Sequence, residues 1–105
     1  MMKGNLFDNA LPPAEGERFE TLLSHHNLQI ERIVSAESST PGTVYVQTQD
    51  EWVLLLHGQA TMLIDGAHTE LKAGDHLFLP QGLAHSVLST SQGAMWLAVH
   101  LHPAG

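Results

Sequence analysis

No cysteine occurs anywhere in the chain. This excludes disulfide staples, thiol nucleophiles and thiolate metal sites, and leaves any transition-metal site to imidazole, carboxylate and amide groups. Positive charge is almost as scarce. Lys3, Arg18, Arg32 and Lys72 stand against eleven acidic residues, for a formal net charge of −7. These four cations are scattered, whereas nucleic-acid binding needs clustered Lys and Arg. Neither nucleic acid nor an anionic membrane surface is an expected partner. No apolar run approaches the roughly 20 residues of a membrane span. The N-terminal MMKGNLFDNALPP lacks the continuous apolar stretch of a secretory signal, so the expected compartment is the cytoplasm. A Ser-His-Asp order, a phosphate-binding glycine loop, a nucleophile elbow and internal repeats are all missing as well.

What remains is a folded composition. Hydrophobic residues make up 43% of 105 positions, enough for one core but not two. Residues 1–16 carry Gly4, Pro12, Pro13 and Gly16 and read as an arm. GERFETLLSHH follows, with Phe19, Leu22 and Leu23 at helical spacing, which predicts a short helix. LQIERIVS (28–35) alternates, then breaks at Ile33-Val34, as a strand with a bulge or a change of face would. TVYVQT (43–48) alternates cleanly, and WVLLLHG (52–58) is a continuous apolar run closed by Gly58. QATMLIDG ends in a hairpin dipeptide, since both central positions of a type I′ turn want positive φ. HTELK, HLFLP, HSVLST (85–90) and MWLAVHLH (95–102) complete the series.

Short strands separated by turns every 8–12 residues or so indicate an antiparallel sandwich or barrel. The expected organisation is a single domain. Residues 1–35 supply an arm, a short helix and a first strand, and residues 36–105 form the barrel. Trp52 to Leu56 and Met95 to Val99 are apolar on both faces. A half-wet antiparallel strand should alternate, so the outer face must be covered. A homodimer is the simplest cover. The rival is the N-terminal arm with Leu6, Phe7 and Leu11.

One stretch carries a more specific signal. In GDHLFLPQGLAH, Gly74, Pro80, Gly82 and His85 match the four leading positions of the second motif of the small single-domain cupins, G-x5-P-x-G-x2-H-x3-N, with Ser89 at the final position. Glu51 and Gly58 match the end of the first motif, G-x5-H-x-H-x3,4-E-x6-G, but its paired histidines are absent. Counting back from Glu51 puts Tyr45 and Gln47 at their places. Counting forward from Gly42 puts Thr48 and Asp50 there. The chain thus resembles the cupins over about residues 42–102. The resemblance implies an all-β double-stranded β-helix, or jelly-roll, barrel. It also implies a divalent metal held by the carboxylate of the first motif and the histidine of the second, here Glu51 and His85.

Eight histidines are the unusual count. His25, His26 and His68 read as surface residues, His57 and His76 as rim residues, and His102 as a solvated chain-end residue. His85 is the best candidate for a ligand or general base, because neutral imidazole is the usual nitrogen ligand near neutral pH. Glu51 is expected to point inward with Val53 and Leu55, where a buried carboxylate needs a partner. His100, on the last strand with Trp96 and Ala98, is the third candidate, and Gln47 could add an amide oxygen. Glu51, His85, His100 and Gln47 are therefore the expected metal set, for Fe, Mn, Ni or Zn. Glu51 and His85 are the expected catalytic pair. Three functions follow: a metal-dependent isomerase, lyase or dioxygenase acting on a small polar metabolite; a non-catalytic binding or sensing module; or a metal-free acid–base epimerase or isomerase.

Overall fold

The computed structural model describes residues 3–104. Eight strands follow one another: β1 (Glu17–His25), β2 (Leu28–Ser35), β3 (Asp50–His57), β4 (Gln59–Ile64), β5 (Ala67–Lys72), β6 (His76–Leu79), β7 (His85–Thr90) and β8 (Ala94–Leu101). They form a five-stranded sheet in the order β1-β2-β8-β3-β6 and a three-stranded sheet in the order β5-β4-β7. All pairings are antiparallel. Ile33, Val53, Leu55, Met62, Leu79 and Trp96 are among the side chains that fill the space between the sheets. The architecture is the expected all-β jelly roll. Among the described residues, no helix is long and apolar enough to cross a membrane.

Residues 17–25 form a strand, not the expected short helix. β1 pairs with β2 from Glu17↔Ser35 to His25↔Leu28, with a bulge between Thr21 and Leu23. The bulge explains the misleading pattern. An extra residue breaks the two-residue alternation, so Phe19, Leu22 and Leu23 fall at helical intervals within an extended chain. Three apolar residues are a weak helical stripe, and the ladder to β2 satisfies the backbone of the whole segment.

β2 itself is regular against β8, from Leu28↔Leu101 to Ser35↔Ala94. Ile33 and Val34 are both buried because both faces are covered there. Ile33 joins the core. On the opposite face, Arg32 donates to the carbonyls of Leu6 and Asp8, each at 2.6 Å, and pairs with the Glu20 carboxylate. The arm is thereby pinned over this part of the sheet.

The stretch 43–48 is less regular than its alternation predicts. It touches β7 through the single bridge Tyr45↔His85, and Val44 and Val46 are exposed. Ser38↔Thr90 and the bond from Gly42 N to Val87 O hold the preceding residues along the same strand.

The turn between β6 and β7 is tied to this stretch. Gly82, with φ of +81°, donates its N–H to Gln47 O at 2.8 Å, and Gln81 N–H donates to Asp50 Oδ1 at 2.9 Å. Pro80 ends β6, because its ring cannot continue the ladder. The reversal then delivers His85 to the first position of β7. Asp75 serves a turn, as expected, accepting the Lys72 N–H at 2.9 Å.

Candidate functional site

Alternation along three strands and one loop directs a small set of polar side chains between the sheets. On β3, Glu51 lies opposite His100 of β8 and Leu79 of β6, sharing the inner face with Val53 and Leu55. On β8, His100 follows Trp96 and Ala98 inward. Tyr45 and Gln47 come from the loop beside β7, and His85 from the start of β7. Together they line a cavity of about 110 Å³ between the sheets. Glu51, His85, His100 and Gln47, the four residues expected from the sequence, thus share one cavity. Of the two registers for the first motif, the one placing Tyr45 and Gln47 toward the cavity matches this geometry. Thr48 is exposed, and Asp50 is engaged with the Gln81 turn.

His85 is buried, and its hydrogen bonds define its state. Nδ1 lies 3.1 Å from the carbonyl of Leu83 and donates to it. In the neutral ring the lone pair is therefore on Nε2, 3.8 Å from Glu51 Oε1. Tyr45 stacks on the ring at 5.8 Å between centroids.

Glu51 has a side chain 8% exposed, and its carboxyl makes no hydrogen bond among the described residues. Its nearest partners are His85 Nε2 at 3.8 Å and His100 Nε2 at 4.0 Å. Burial pushes its carboxyl above the ordinary carboxylate range. The two imidazoles pull it back in part, and the neighbouring Glu31 adds to the rise.

Glu31 was not anticipated. It sits on β2, its carboxylate in the cavity wall, and Oε1 lies 2.8 Å from His100 Nε2. The available signal was parity, since Glu31 shares its side of β2 with Ile33 and Ser35, which face the core. The hydrogen bond to Glu31 holds the His100 pKa above its ordinary value of 6.5; burial opposes this, and the charges of Glu51 and Glu31 add to it. Gln49 Nε2 lies 3.4 Å from His100 Nδ1 and donates to it in the neutral ring.

The remaining histidines lie elsewhere. His25, His26, His57, His68 and His76 are exposed, and His76 lies against Trp52 on the outer face of the large sheet. His102 is half-buried rather than solvated. Its Nε2 approaches Gln29 Oε1 at 3.3 Å, and its ring stacks on His100.

The donor chemistry tests the implied metal. His85 Nε2 presents a lone pair fixed by its bond to Leu83, as a ligand should. Gln47 Oε1 is buried without a partner. His100 does not fit, because Nε2 carries a hydrogen in either protonation state while it bonds the Glu31 carboxylate. Adjacent ligand atoms about 2.1 Å from one ion lie about 3–3.4 Å apart, and both separations from Glu51 exceed that. Among the described residues, no group of three or more His, Asp or Glu is arranged to hold a metal ion.

Two facing antiparallel sheets, with imidazole and carboxylate groups gathered between them, define a small barrel protein with an interior pocket that carries a few polar groups on an apolar wall. The chain belongs to the cupin domain family, which matches residues 33–100. No curated protein matches the sequence. Among solved structures, it is similar to a provisionally named mannose-6-phosphate isomerase from Ralstonia eutropha. The identity is 37%, covering 98% of this chain and all of the other, with a TM-score of 0.88. An RmlC-like cupin from Shewanella frigidimarina shares 19% identity over 89% of this chain and 82% of its own, with a TM-score of 0.76. KdgF from Halomonas sp. shares 13% identity over 84% and 82%, also with a TM-score of 0.76. These last two likenesses concern the fold alone.

Proposed function

We propose that this cupin binds a small polar molecule in the barrel cavity and moves a proton on it, as an isomerase or epimerase does. The observation that carries the reading is the fixed tautomer of His85. Its Nδ1–H is committed to Leu83 O, and its Nε2 lone pair faces the cavity beside a buried carboxyl. In such a site His85 is the base. Glu51, the buried carboxyl beside it, is its proton-transfer partner. His100 lines the cavity and is oriented by its Nε2–H bond to Glu31. The name of the Ralstonia eutropha relative points to the same reaction class. The test is proton exchange at carbon, followed by NMR in deuterated water with a panel of small hydroxy-ketones and hydroxy-aldehydes. Exchange lost in both His85→Ala and Glu51→Gln supports the reading. Exchange unchanged in both variants refutes it.

A second reading places a divalent Fe, Mn, Ni or Zn ion on Glu51, His85 and Gln47, with His100 released from Glu31. The buried, unpartnered Oε1 of Gln47 favours it. Such an ion would supply Lewis-acid polarisation of a bound oxygen. Metal analysis of protein purified without a histidine tag decides the matter. Stoichiometric metal that disappears in His85→Ala supports this reading, and substoichiometric metal unaffected by that change rejects it.

The same proposal includes a homodimer. The arm covers the face around Arg32. Trp52, Leu54, Leu97 and Val99 remain half-buried at the centre of the outer face, with Phe78 exposed beside them. A second copy of this sheet is the simplest cover for that surface.

A further inference from the structure

We infer that the ligand of the barrel cavity is a small organic cation, an aliphatic ammonium compound of a few carbons, and not a phosphorylated or otherwise anionic sugar. The inference rests on the reading of the cavity as a ligand site and names the class of ligand it takes.

The first argument is charge. Glu17, Glu31 and Glu51 line the cavity, and no Lys or Arg does. Each cation of the chain is accounted for elsewhere. Arg18 donates to the carbonyls of Asn9 and Leu11, and Arg32 holds the arm on the outer face. Lys3 lies in the arm and Lys72 at the end of β5, away from the cavity. The described residues form no helix whose N-terminus could receive an anion. A phosphate dianion entering this site would meet three carboxylates with only imidazoles to offset them.

The second argument is hydrogen bonding. Glu51 is more than nine-tenths buried and accepts no hydrogen bond, and Gln47 Oε1 is buried without a donor. The cavity wall thus carries buried acceptors that lack a donor. An ammonium group has three donors and no acceptor, so it complements them, whereas a carboxylate or phosphate brings only further acceptors.

The third argument is shape. Tyr45, Trp96 and, near the mouth, Phe19 add aromatic surface to the same wall, which attracts a cation through the ring quadrupole. The cavity of about 110 Å³ accommodates an ammonium head with a short chain.

Calorimetric titration of the unaltered protein with propylammonium, propan-1-ol, propionate and inorganic phosphate tests this, since the first three differ mainly in charge. Binding is followed in parallel through the Trp96 indole and His85 ring NMR signals. Propylammonium should bind at least about tenfold more tightly than propanol, and Glu51→Gln should weaken it by about tenfold or more. Propionate and phosphate should leave the signals unmoved. Should propanol match propylammonium, or either anion bind more tightly, the cationic ligand is refuted. Trp96 and His85 shifts in that case keep the cavity as a ligand site. If none of the four compounds moves those signals, the ligand-site reading falls together with the inference. Because the ligand series needs no variant, it remains decisive if Glu51→Gln folds poorly.

Discussion

At the scale of single residues, Glu51 sits where burial makes its charged form costly. With its carboxyl raised above 4.5, the folded chain holds that proton more tightly than the unfolded chain does. The resulting stabilisation is complete below that value and is lost as pH rises through the folded one. Glu51→Gln, which removes the charge and keeps the shape, should therefore raise the melting temperature by several degrees at about pH 8 and change it little at about pH 4. Thermal unfolding at the two pH values checks this. His100 behaves with the same sign. Its raised pKa contributes stability that is complete below 6.5 and is lost as pH rises through the folded value. Glu31→Gln removes the main cause of that rise. Its destabilisation should be greatest near about pH 6 and shrink toward about pH 9, as read by chemical denaturation. Glu51 and His85 were legible from motif spacing. Glu31 was not, because charge alone reads as solvated until a partner strand supplies the imidazole that satisfies it.

At the scale of elements, two glycines separate fold from site. Gly58, between β3 and β4, has φ of +86°, and a Cβ there would meet Ser91 Oγ at 2.5 Å and Ala94 Cα at 3.0 Å. Gly58→Ala combines backbone strain with a clash against backbone and should cost about 2–4 kcal/mol. Gly82 has φ of +81° but open space around it. Gly82→Ala should cost only about 1–2 kcal/mol, the left-handed penalty for a residue with a Cβ. Because Gly82 N–H bonds Gln47 O, its effect should appear chiefly as weaker ligand binding next to His85. Denaturant midpoints and ligand titrations of the two variants check the contrast. Cooperative unfolding lost in Gly82→Ala would contradict it. Strand existence was readable from turns and alternation. The identity of β1 was not, since its bulge imitates a helical period.

For the whole molecule, the uncovered apolar surface lies on the outer face of the five-stranded sheet. Phe78 is 61% exposed beside a half-buried Trp52 and its neighbours, an arrangement that a second copy would cover. Leu97→Asp places a charge at the centre of that face. It should convert a dimer to a monomer in light scattering while far-ultraviolet circular dichroism stays unchanged. Wild-type protein that is monomeric at micromolar concentration would reject the dimer.

The sequence by itself determined the barrel class, the turn that presents His85, and the inward parity of Glu51. These follow from alternation and from backbone preferences of Pro and Gly, which act over a few residues. What surrounds those groups came from the packing of distant strands. It brought Glu31 from β2 onto His100 of β8, residues separated by most of the chain, and so committed the Nε2–H of His100 to that carboxylate. It also drew every Lys and Arg away from the cavity while gathering three carboxylates around it. Such pairings depend on which strands become neighbours, and no local pattern of residues encodes that.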